Sequence, residues 1–512
     1  MKRLGSFSKV GLLQSTGVIV FAAAMVFVLG ARQRPAFSAA EGLPIPQASP
    51  TPFPCMAQPA SCPNSPVVTV NSPQVPCDVC IPTGFGGNPI AFFDDYSWRS
   101  FIALVWPAQI QNNQRGVPDT SQTVGGKGPR VFETYKALWE IFHADGSAPV
   151  GWNQNEPASV NACGQAVASG DLVLASFSKF SDLGQASFGS LLGPLVAQGS
   201  TPTYVSYLTA YNQIEFNQIT SGKWYLKTNL PATLTFNLGS LDVKSAWMDM
   251  TFAKHPERYY TRTAWVMNPA GGPCSQKTVG LVGLHIVQKT PSRPQWIWST
   301  FEQVDNVPPA QPGAPGTFGF NDGSGTAMPA KNPYTINPLP IPVPSPFNVT
   351  RSLPINPSTT VTNAKYQKAL KNQGNGVWQF YQLVMTQWPL QLNPPNPIPP
   401  SQSGGPANTF PGNGATSTFS NTTLETFDQG QPGTGLGGTG CMACHTVTQN
   451  ATDFLWSLKD HAFPPNIPSL MMQDSEFKNL RTLIESDRQP KPQSKPQSKP
   501  KPKPKPKPKP QG

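Results

Sequence analysis

The sequence predicts an α+β, β-rich fold, built as one large exported domain with long Pro/Gly-rich loops. Two features of the composition support this prediction, the low fraction of charged residues and the high content of proline and glycine. Only 12% of the 512 residues are charged, and 60 are proline and 44 are glycine, which is typical of loop-rich exported proteins rather than of helical cytosolic enzymes. The third observation is that the middle of the chain holds short alternating or β-branched segments separated by turn residues.

The first 40 residues have the composition of an export signal. Three cations, Lys2, Arg3 and Lys9, precede an apolar run from Val18 to Leu29, and small residues at positions 38–40 suit cleavage. The run is shorter than the roughly 20 residues that span a bilayer. We predict that residues 1–40 are a signal peptide, with an uncleaved anchor as the alternative, and that the protein resides in the periplasm or at the cell surface.

Six of the eight cysteines lie in the first 280 residues. An even number of cysteines in an oxidising compartment predicts up to three disulfides. Residues 41–90 are predicted to be a Cys/Pro-rich extended lead-in, where we expect disulfide bonding rather than a catalytic dithiol at the C-x-x-C pair. By elimination, Cys163 and Cys274 are expected to pair with each other. The six are Cys55, Cys62, Cys77, Cys80, Cys163 and Cys274.

Residues 91–415 are predicted to form a β-rich scaffold that also contains helices. Apolar residues recur at helical spacing from Asp94 to Val105, where Asp94 or Asp95 is the expected N-cap. Two further helices are predicted, from Val131 to Phe142 and from Ala364 to Gln387. Pro/Gly-rich stretches at 307–360 and 393–414 are predicted to be long surface loops.

Strands are predicted between residues 172 and 301, where β-branched and aromatic residues alternate with polar ones. The last two segments are expected to form a hairpin that turns through Pro291 to Pro294. The predicted strands are Lys223 to Lys227, Thr233 to Asn237, Leu241 to Met248, Arg258 to Met267, Val279 to Gln288 and Gln295 to Phe301.

The remaining two cysteines form the motif Cys441-Met442-Ala443-Cys444-His445. This is C-x-x-C-H, the pattern at which two thiols bond the vinyl groups of one haem and the adjacent histidine ligates the iron. A redox dithiol, half of a zinc site or a chance match are the alternatives. We predict one covalently bound haem c in a segment spanning residues 416–488.

The surroundings of the motif argue against a small self-contained cytochrome. Asn421 to Phe427 is predicted to be a strand, and a glycine-rich loop from Gln431 to Gly440 follows it, so no helix leads into the motif. Short helices are predicted at Asp453 to Lys459 and Ser475 to Glu485. The haem is therefore expected to lie against the preceding scaffold.

The distal ligand of the iron is left open by the sequence. His461 is the nearest histidine, and His285 lies within a predicted strand; either is also explained as an ordinary surface or core histidine. Met471 and Met472 would raise the reduction potential as ligands, although methionine commonly fills apolar cores. These four are the possible distal ligands, and catalytic residues are unknown.

Two other groups of residues are weaker candidates. Tryptophans 247, 265, 296 and 298 are expected in the core, with packing around the haem or stacking on sugars as alternatives. Glu302 and Asp305 near Arg293 are considered as an acid/base pair, although loop carboxylates are usually solvated. Motifs of other enzyme classes, such as G-x-S-x-G, H-E-x-x-H and the P-loop, are absent from the sequence.

Several segments outside the C-x-x-C-H motif also match a known family, at residues 98–104 with 106–107, 282–286 with 296–302, 386–389 and 421–425. With them the chain resembles a poorly characterised family of exported bacterial monohaem cytochrome c-like proteins. The resemblance implies a single covalent haem held by Cys441, Cys444 and His445. The position of the motif near the end of a β-rich chain is also similar, more weakly, to lysine-cross-linked cytochromes that oxidise hydroxylamine, in which the distal side is open.

Charge is concentrated at the ends of the chain. Of the net charge of +11, eight lysines lie in the Lys-Pro tail at residues 489–512 and five cations lie near the N-terminus, which leaves the body near neutrality. A nucleic acid partner is therefore not expected. The tail is predicted to be disordered and extended, with an anionic cell-envelope surface as a possible partner.

Together these patterns predict an exported c-type haem protein with an electron-transfer or redox role and an unidentified redox partner. The alternatives are a haem enzyme with an open distal site, acting on peroxide or a small nitrogen oxide, and a cell-surface binding protein in which the haem is secondary.

Overall fold

An eight-stranded sheet with helices packed against it forms the described part of the chain, which confirms the α+β, β-rich prediction. The computed structural model describes residues 55–161, 163–174, 205–253, 255–267, 273–309, 318–321, 349–374, 376–388, 421–426, 429, 445 and 452–464. The strands are β1 Lys136–Ala137, β2 Leu172–Leu174, β3 Ser206–Tyr211, β4 Leu241–Asp249, β5 Thr261–Val266, β6 Ser275–Thr290, β7 Arg293–Gln303 and β8 Tyr381–Gln387. The α-helices are α1 Ile90–Leu104, α2 Gln213–Ser221, α3 Pro357–Asn372 and α4 Trp456–His461.

Strand β6 organises the sheet because it is long enough to pair with three other strands. Along one edge it pairs with β4, and along the other it pairs first with β5 and then with β7. The sheet continues from β4 to β3 and β1, from β5 to β2, and from β7 to β8. The β2–β5 pair is parallel and the other pairs are antiparallel.

The predicted hairpin between the last two strand segments is confirmed. Thr290 is opposite Arg293, so the turn consists of Pro291 and Ser292. The register of the β6–β7 ladder shifts between Gln288 and Thr290. Three residues of β7, at positions 294–296, therefore lie opposite the single β6 residue Lys289.

Helices α1 and α3 cover one face of the sheet through aromatic packing. The Trp98 ring stacks on Tyr366 with centroids 5.1 Å apart, and its edge meets Phe301 at 5.2 Å. Its indole N–H donates to Asn363 Oδ1 at 2.9 Å. The prediction of a helix here is confirmed, but the expected cap is wrong: α1 begins at Ile90, one turn earlier, and Asp94 lies buried within it.

Two predicted helices differ from the structure. Residues 131–142 form two short 3₁₀ turns around β1, because Lys136 and Ala137 pair with β3. The helix predicted from Ala364 to Gln387 ends at Asn372, and the chain turns through Gly374, whose φ is 66°. Residues 381–387 then form β8, since a β-branched and aromatic segment beside β7 gains more from ladder hydrogen bonds than from helix propensity.

Two predicted strands are also wrong. Residues 223–227 form turns after α2, where Lys223 has a φ of 51°. Residues 233–237 are irregular, and the Phe236 amide donates to a side chain instead of a strand. The strands predicted within β4, β5, β6 and β7 are confirmed.

The six cysteines within the described ranges form three disulfides, as the cysteine count predicts. Cys163 pairs with Cys274, which confirms the pairing by elimination. In the lead-in Cys55 pairs with Cys77 and Cys62 pairs with Cys80, so the C-x-x-C cysteines belong to different bonds. An interleaved pair of bonds constrains a segment with little secondary structure of its own.

Among the described residues, no helix is both long and apolar enough to cross a membrane. The predicted signal peptide, the helix at 475–485 and the Lys-Pro tail lie outside the described residues.

We predict that Asp94 makes the protein less stable as the pH rises. Burial raises its pKa from 3.8 to about 7, opposed by hydrogen bonds from Thr359 and Thr386. Because the folded protein holds this proton more tightly, the stabilisation is complete below pH 3.8 and is lost as the pH rises through about 7. Asp94→Asn should reduce the slope of the free energy of unfolding against pH, measured by urea denaturation. Over this interval the change in slope should correspond to at most about one bound proton.

The control is Asp119→Asn, which alters an exposed carboxyl whose pKa is lowered by hydrogen bonds from Ser121 and Gln122. Its titration lies below this interval, so it should leave the slope unchanged. A slope for Asp94→Asn equal to that of the wild type would contradict the assignment.

Candidate haem-binding site

The face of the sheet opposite α1 and α3 carries the histidine that the sequence placed in a strand. His285 on β6 is directly opposite Lys244 on β4 and Thr300 on β7. Directly paired residues in antiparallel strands project to the same face. Trp298 projects to that face as well, because it lies two residues from Thr300 on the same strand.

His445 of the C-x-x-C-H motif lies against this face. Its ring is 4.5 Å from the Trp298 ring, centroid to centroid, at an interplanar angle of 53°. Its Nδ1 is 2.7 Å from the Phe454 carbonyl oxygen. A carbonyl oxygen only accepts hydrogen bonds, so Nδ1 carries the proton and donates it. In the neutral ring this leaves the lone pair on Nε2, as in most metal-ligating histidines.

The Phe454 carbonyl belongs to a tight turn. The Leu455 amide donates to the Thr452 carbonyl at 3.0 Å, which closes the turn around Asp453 and Phe454. Both central residues have positive φ, 51° and 73° respectively, as in a type I′ turn. Such turns favour asparagine and glycine, and a bulky residue such as phenylalanine rarely occupies this region.

Asp453 is held by three contacts from the scaffold. The Lys289 ammonium is 2.6 Å from its Oδ2, and the Phe236 amide donates to the same oxygen at 2.8 Å. The Trp296 indole N–H donates to its main-chain carbonyl at 3.0 Å. The turn that orients His445 is therefore fixed to β6 and β7.

Residues 421–426 lie over the same face of the sheet. The Asn421 amide group donates to Thr300 Oγ1 at 2.9 Å and to the Phe301 carbonyl at 2.8 Å. The predicted strand here is wrong: the segment is a turn in which Asn421 Oδ1 accepts from the Thr423 amide at 2.9 Å and from its hydroxyl at 2.7 Å. Asparagine favours such local bonds over strand pairing.

Glu302 anchors this segment and does not form an acid/base pair with Asp305. It accepts from the Thr422 amide and forms a buried ion pair with Arg351. Asp305 instead pairs with Arg258 at 3.0 Å. The buried carboxylate thus has a positioning role in the scaffold.

Two candidate distal histidines are found in this region. His285 Nε2 is 3.4 Å from Glu425 Oε2, a carboxylate of the covering segment. His461, at the end of α4, has a ring nitrogen, Nδ1, that is buried without a hydrogen-bond partner among the described residues. Burial lowers the pKa of His461 to about 4, and the charge of Lys244 lowers it further, so its ring is neutral.

Buried carboxyl groups surround the Lys289 ammonium. Burial raises the pKa of Glu215 well above its usual range and that of Asp242 to about 7, and the charge of Asp242 adds to the effect on Glu215. Burial also raises the pKa of Asp453 and lowers that of Lys289, while their mutual attraction opposes both shifts. The ionisable groups of this cluster therefore interact strongly with one another. The cluster lies next to the turn that contacts His445.

Three of the seven residues that the sequence proposed lie within the described part of the chain: His445, His285 and His461. Cys441, Cys444, Met471 and Met472 lie outside the described residues. Within the described ranges, no group of three or more His, Cys, Asp or Glu side chains is arranged to hold a metal ion. Of the tryptophans, Trp298 contacts His445 and Trp296 contacts the turn, whereas Trp247 donates to Ser245 in the core.

Sequence reasoning did not find Lys289, Asp453 or the Phe454 carbonyl. A lysine at the end of an otherwise apolar strand was the only available signal for Lys289, and strand ends commonly carry exposed lysines. A main-chain acceptor leaves no signal in the sequence.

We predict that Gly283→Ala displaces the covering segment. A Cβ at this position of β6 would lie inside van der Waals contact of Thr423 Oγ1 and close to the Asn421 side chain. Forcing an atom into a packed region costs about 1–3 kcal/mol of unfolding free energy. Gly86→Ala is the control, because its Cβ would meet nothing within 4 Å. Equal urea midpoints for the two variants would contradict the close packing.

No protein-family model matches this sequence, no curated protein is detectably similar to it, and no solved structure matches it. The assignment of the site therefore rests on the motif and on the geometry around His445.

Proposed function

We propose that this protein is an exported c-type haem protein that transfers electrons. Cys441 and Cys444 would bond the haem, and His445 would be the proximal ligand of its iron. The observation that supports the proposal best is the 2.7 Å hydrogen bond between His445 Nδ1 and the Phe454 carbonyl. A histidine that donates its Nδ1 proton to the main chain has the tautomer and the orientation of an iron ligand.

Two further observations are consistent with a haem in this position. The buried Nδ1 of His461 lacks a partner among the described residues, and a buried polar atom left unsatisfied costs about 1–3 kcal/mol. In addition, Trp298 beside His445 is 3% exposed, so one side of the histidine ring packs against a buried aromatic residue. Haem, when bound, would supply a one-electron redox centre whose potential is set by its axial ligands and by burial.

We propose His461 as the second axial ligand. Its ring is neutral because burial lowers its pKa to about 4, and only a neutral imidazole donates a lone pair to a metal. It lies in α4, which directly follows the turn that contacts His445. His285 is the weaker candidate because its Nε2 faces the Glu425 carboxylate. An iron with two protein ligands favours electron transfer over chemistry at an open position.

The three disulfides are consistent with export, since they persist in an oxidising compartment. The predicted partner roles, a redox protein and an anionic envelope surface for the Lys-Pro tail, remain hypotheses.

The first prediction of this proposal concerns covalent attachment. Protein purified after export should give a haem c spectrum in alkaline pyridine, and the double variant Cys441→Ser, Cys444→Ser should lose it. The matched control is the double variant Cys163→Ser, Cys274→Ser. It removes a disulfide between two cysteines that are 111 residues apart in sequence, and it leaves the motif intact. A wild-type protein without covalent haem would refute the proposal.

The second prediction concerns the distal side. Reduced wild-type protein should bind carbon monoxide slowly, because His461 would occupy the position that carbon monoxide needs. His461→Ala should bind carbon monoxide about tenfold faster or more. In the wild type, only the minor fraction of molecules in which His461 does not occupy the iron could bind it. His255→Ala, at an exposed position, is the control, and His285→Ala should behave like the wild type. Rapid binding by the wild type would instead favour a haem enzyme with an open distal site.

A further inference from the structure

We propose that the buried ion pair between Lys289 and Asp453 positions the proximal histidine and so sets the reduction potential of the haem. The inference rests on the proposed function, because it concerns how the scaffold controls His445. It assigns a positioning role to two residues that do not themselves contact the iron.

The ion pair is shielded from solvent on all sides. Its Nζ–Oδ2 distance is 2.6 Å, and the two side chains are 2% and 0% exposed. The Lys289 ammonium also lies 5.5 Å from the centre of the Trp296 ring. Lys289 is opposite the irregular part of β7, and by regular alternation along β6 it projects to the same face as His285. Attraction between the two charges is strong because little water screens it.

The turn needs such an external restraint. Asp453 and Phe454 both have positive φ, which the local sequence does not favour. A conformation of this kind is strained and persists only where the surroundings over-determine it. The contacts that do so here are the Lys289 ion pair, the Phe236 amide and the Trp296 indole.

The restrained atom is the carbonyl oxygen that accepts the His445 proton. The Phe454 carbonyl oxygen is 2.7 Å from His445 Nδ1. Because Asp453 and Phe454 are adjacent in the turn, a shift of the Asp453 side chain would displace this carbonyl. A strong hydrogen bond at Nδ1 makes the imidazole a more basic ligand. A more basic ligand stabilises oxidised iron over reduced iron, so loosening the turn should raise the reduction potential.

The main test is the double variant Lys289→Met, Asp453→Asn in the full-length exported protein. Lys289→Met alone would leave Asp453 without its cation beside Glu215 and Asp242, which risks unfolding. The double variant removes both charges together, and asparagine tolerates positive φ at position 453. The matched control is Lys277→Met on the same strand, which removes a more exposed Lys–Asp pair with an N–O distance of 2.8 Å to Asp249.

Three measurements separate the possible outcomes. The alkaline pyridine spectrum tests haem attachment, and its failure in the wild type would refute the proposed function. Hydrogen exchange of the Leu455 amide, which closes the turn, tests the restraint without requiring haem. The reduction potential of the haem-loaded protein tests the consequence for the iron.

We expect the double variant to show several-fold faster exchange at Leu455 and an upward shift in potential, and Lys277→Met to match the wild type in both. A folded double variant with wild-type exchange at Leu455 would overturn the positioning role. Faster exchange with an unchanged potential would overturn the link from the turn to the iron.

Discussion

Pairing along the 16-residue strand β6 is the constraint on which the structure depends. This strand joins β4, β5 and β7 into one sheet, and its residues face both layers. Toward α1, Leu284 and Ile286 lie in the hydrophobic core. On the other face the same strand presents Gly283, His285 and Lys289, which follow the alternation of the strand. A change in register along β6 would exchange the two sets of side chains and remove the site along with the core.

Buried polar interactions secure both faces of the sheet. On the face of α1 and α3 they accompany the aromatic packing around Trp98 and Phe101, and Asp94 there accepts hydrogen bonds from Thr359 and Thr386. On the opposite face they include the Glu302–Arg351 pair. Buried polar groups are costly unless their partners are correctly placed. They therefore specify one position for the segments that cover the face on which His445 lies. A functional site depends on such defined positions more than a hydrophobic core does.

The sequence was sufficient where local pattern and tertiary environment agree. The strands within β4 to β7 and the first helix have periodicities that match their burial, and the disulfide between Cys163 and Cys274 followed from counting. Residues 131–142 and 381–387 were predicted as helices because their apolar residues also fit a helical spacing. Pairing with a neighbouring strand decided both cases, and such pairing depends on residues far away in sequence.

For the site, sequence alone identified the C-x-x-C-H motif, two cysteines and a histidine at the spacing expected for haem c attachment. It also named His285 and His461, without indicating their neighbours in the fold. The tertiary structure was needed to show that Trp298 packs on His445, that a main-chain carbonyl fixes its tautomer, and that Lys289 secures the turn carrying that carbonyl. The reason is physical: a ligand motif is local in sequence, whereas orientation of the ligand depends on contacts between segments more than 150 residues apart.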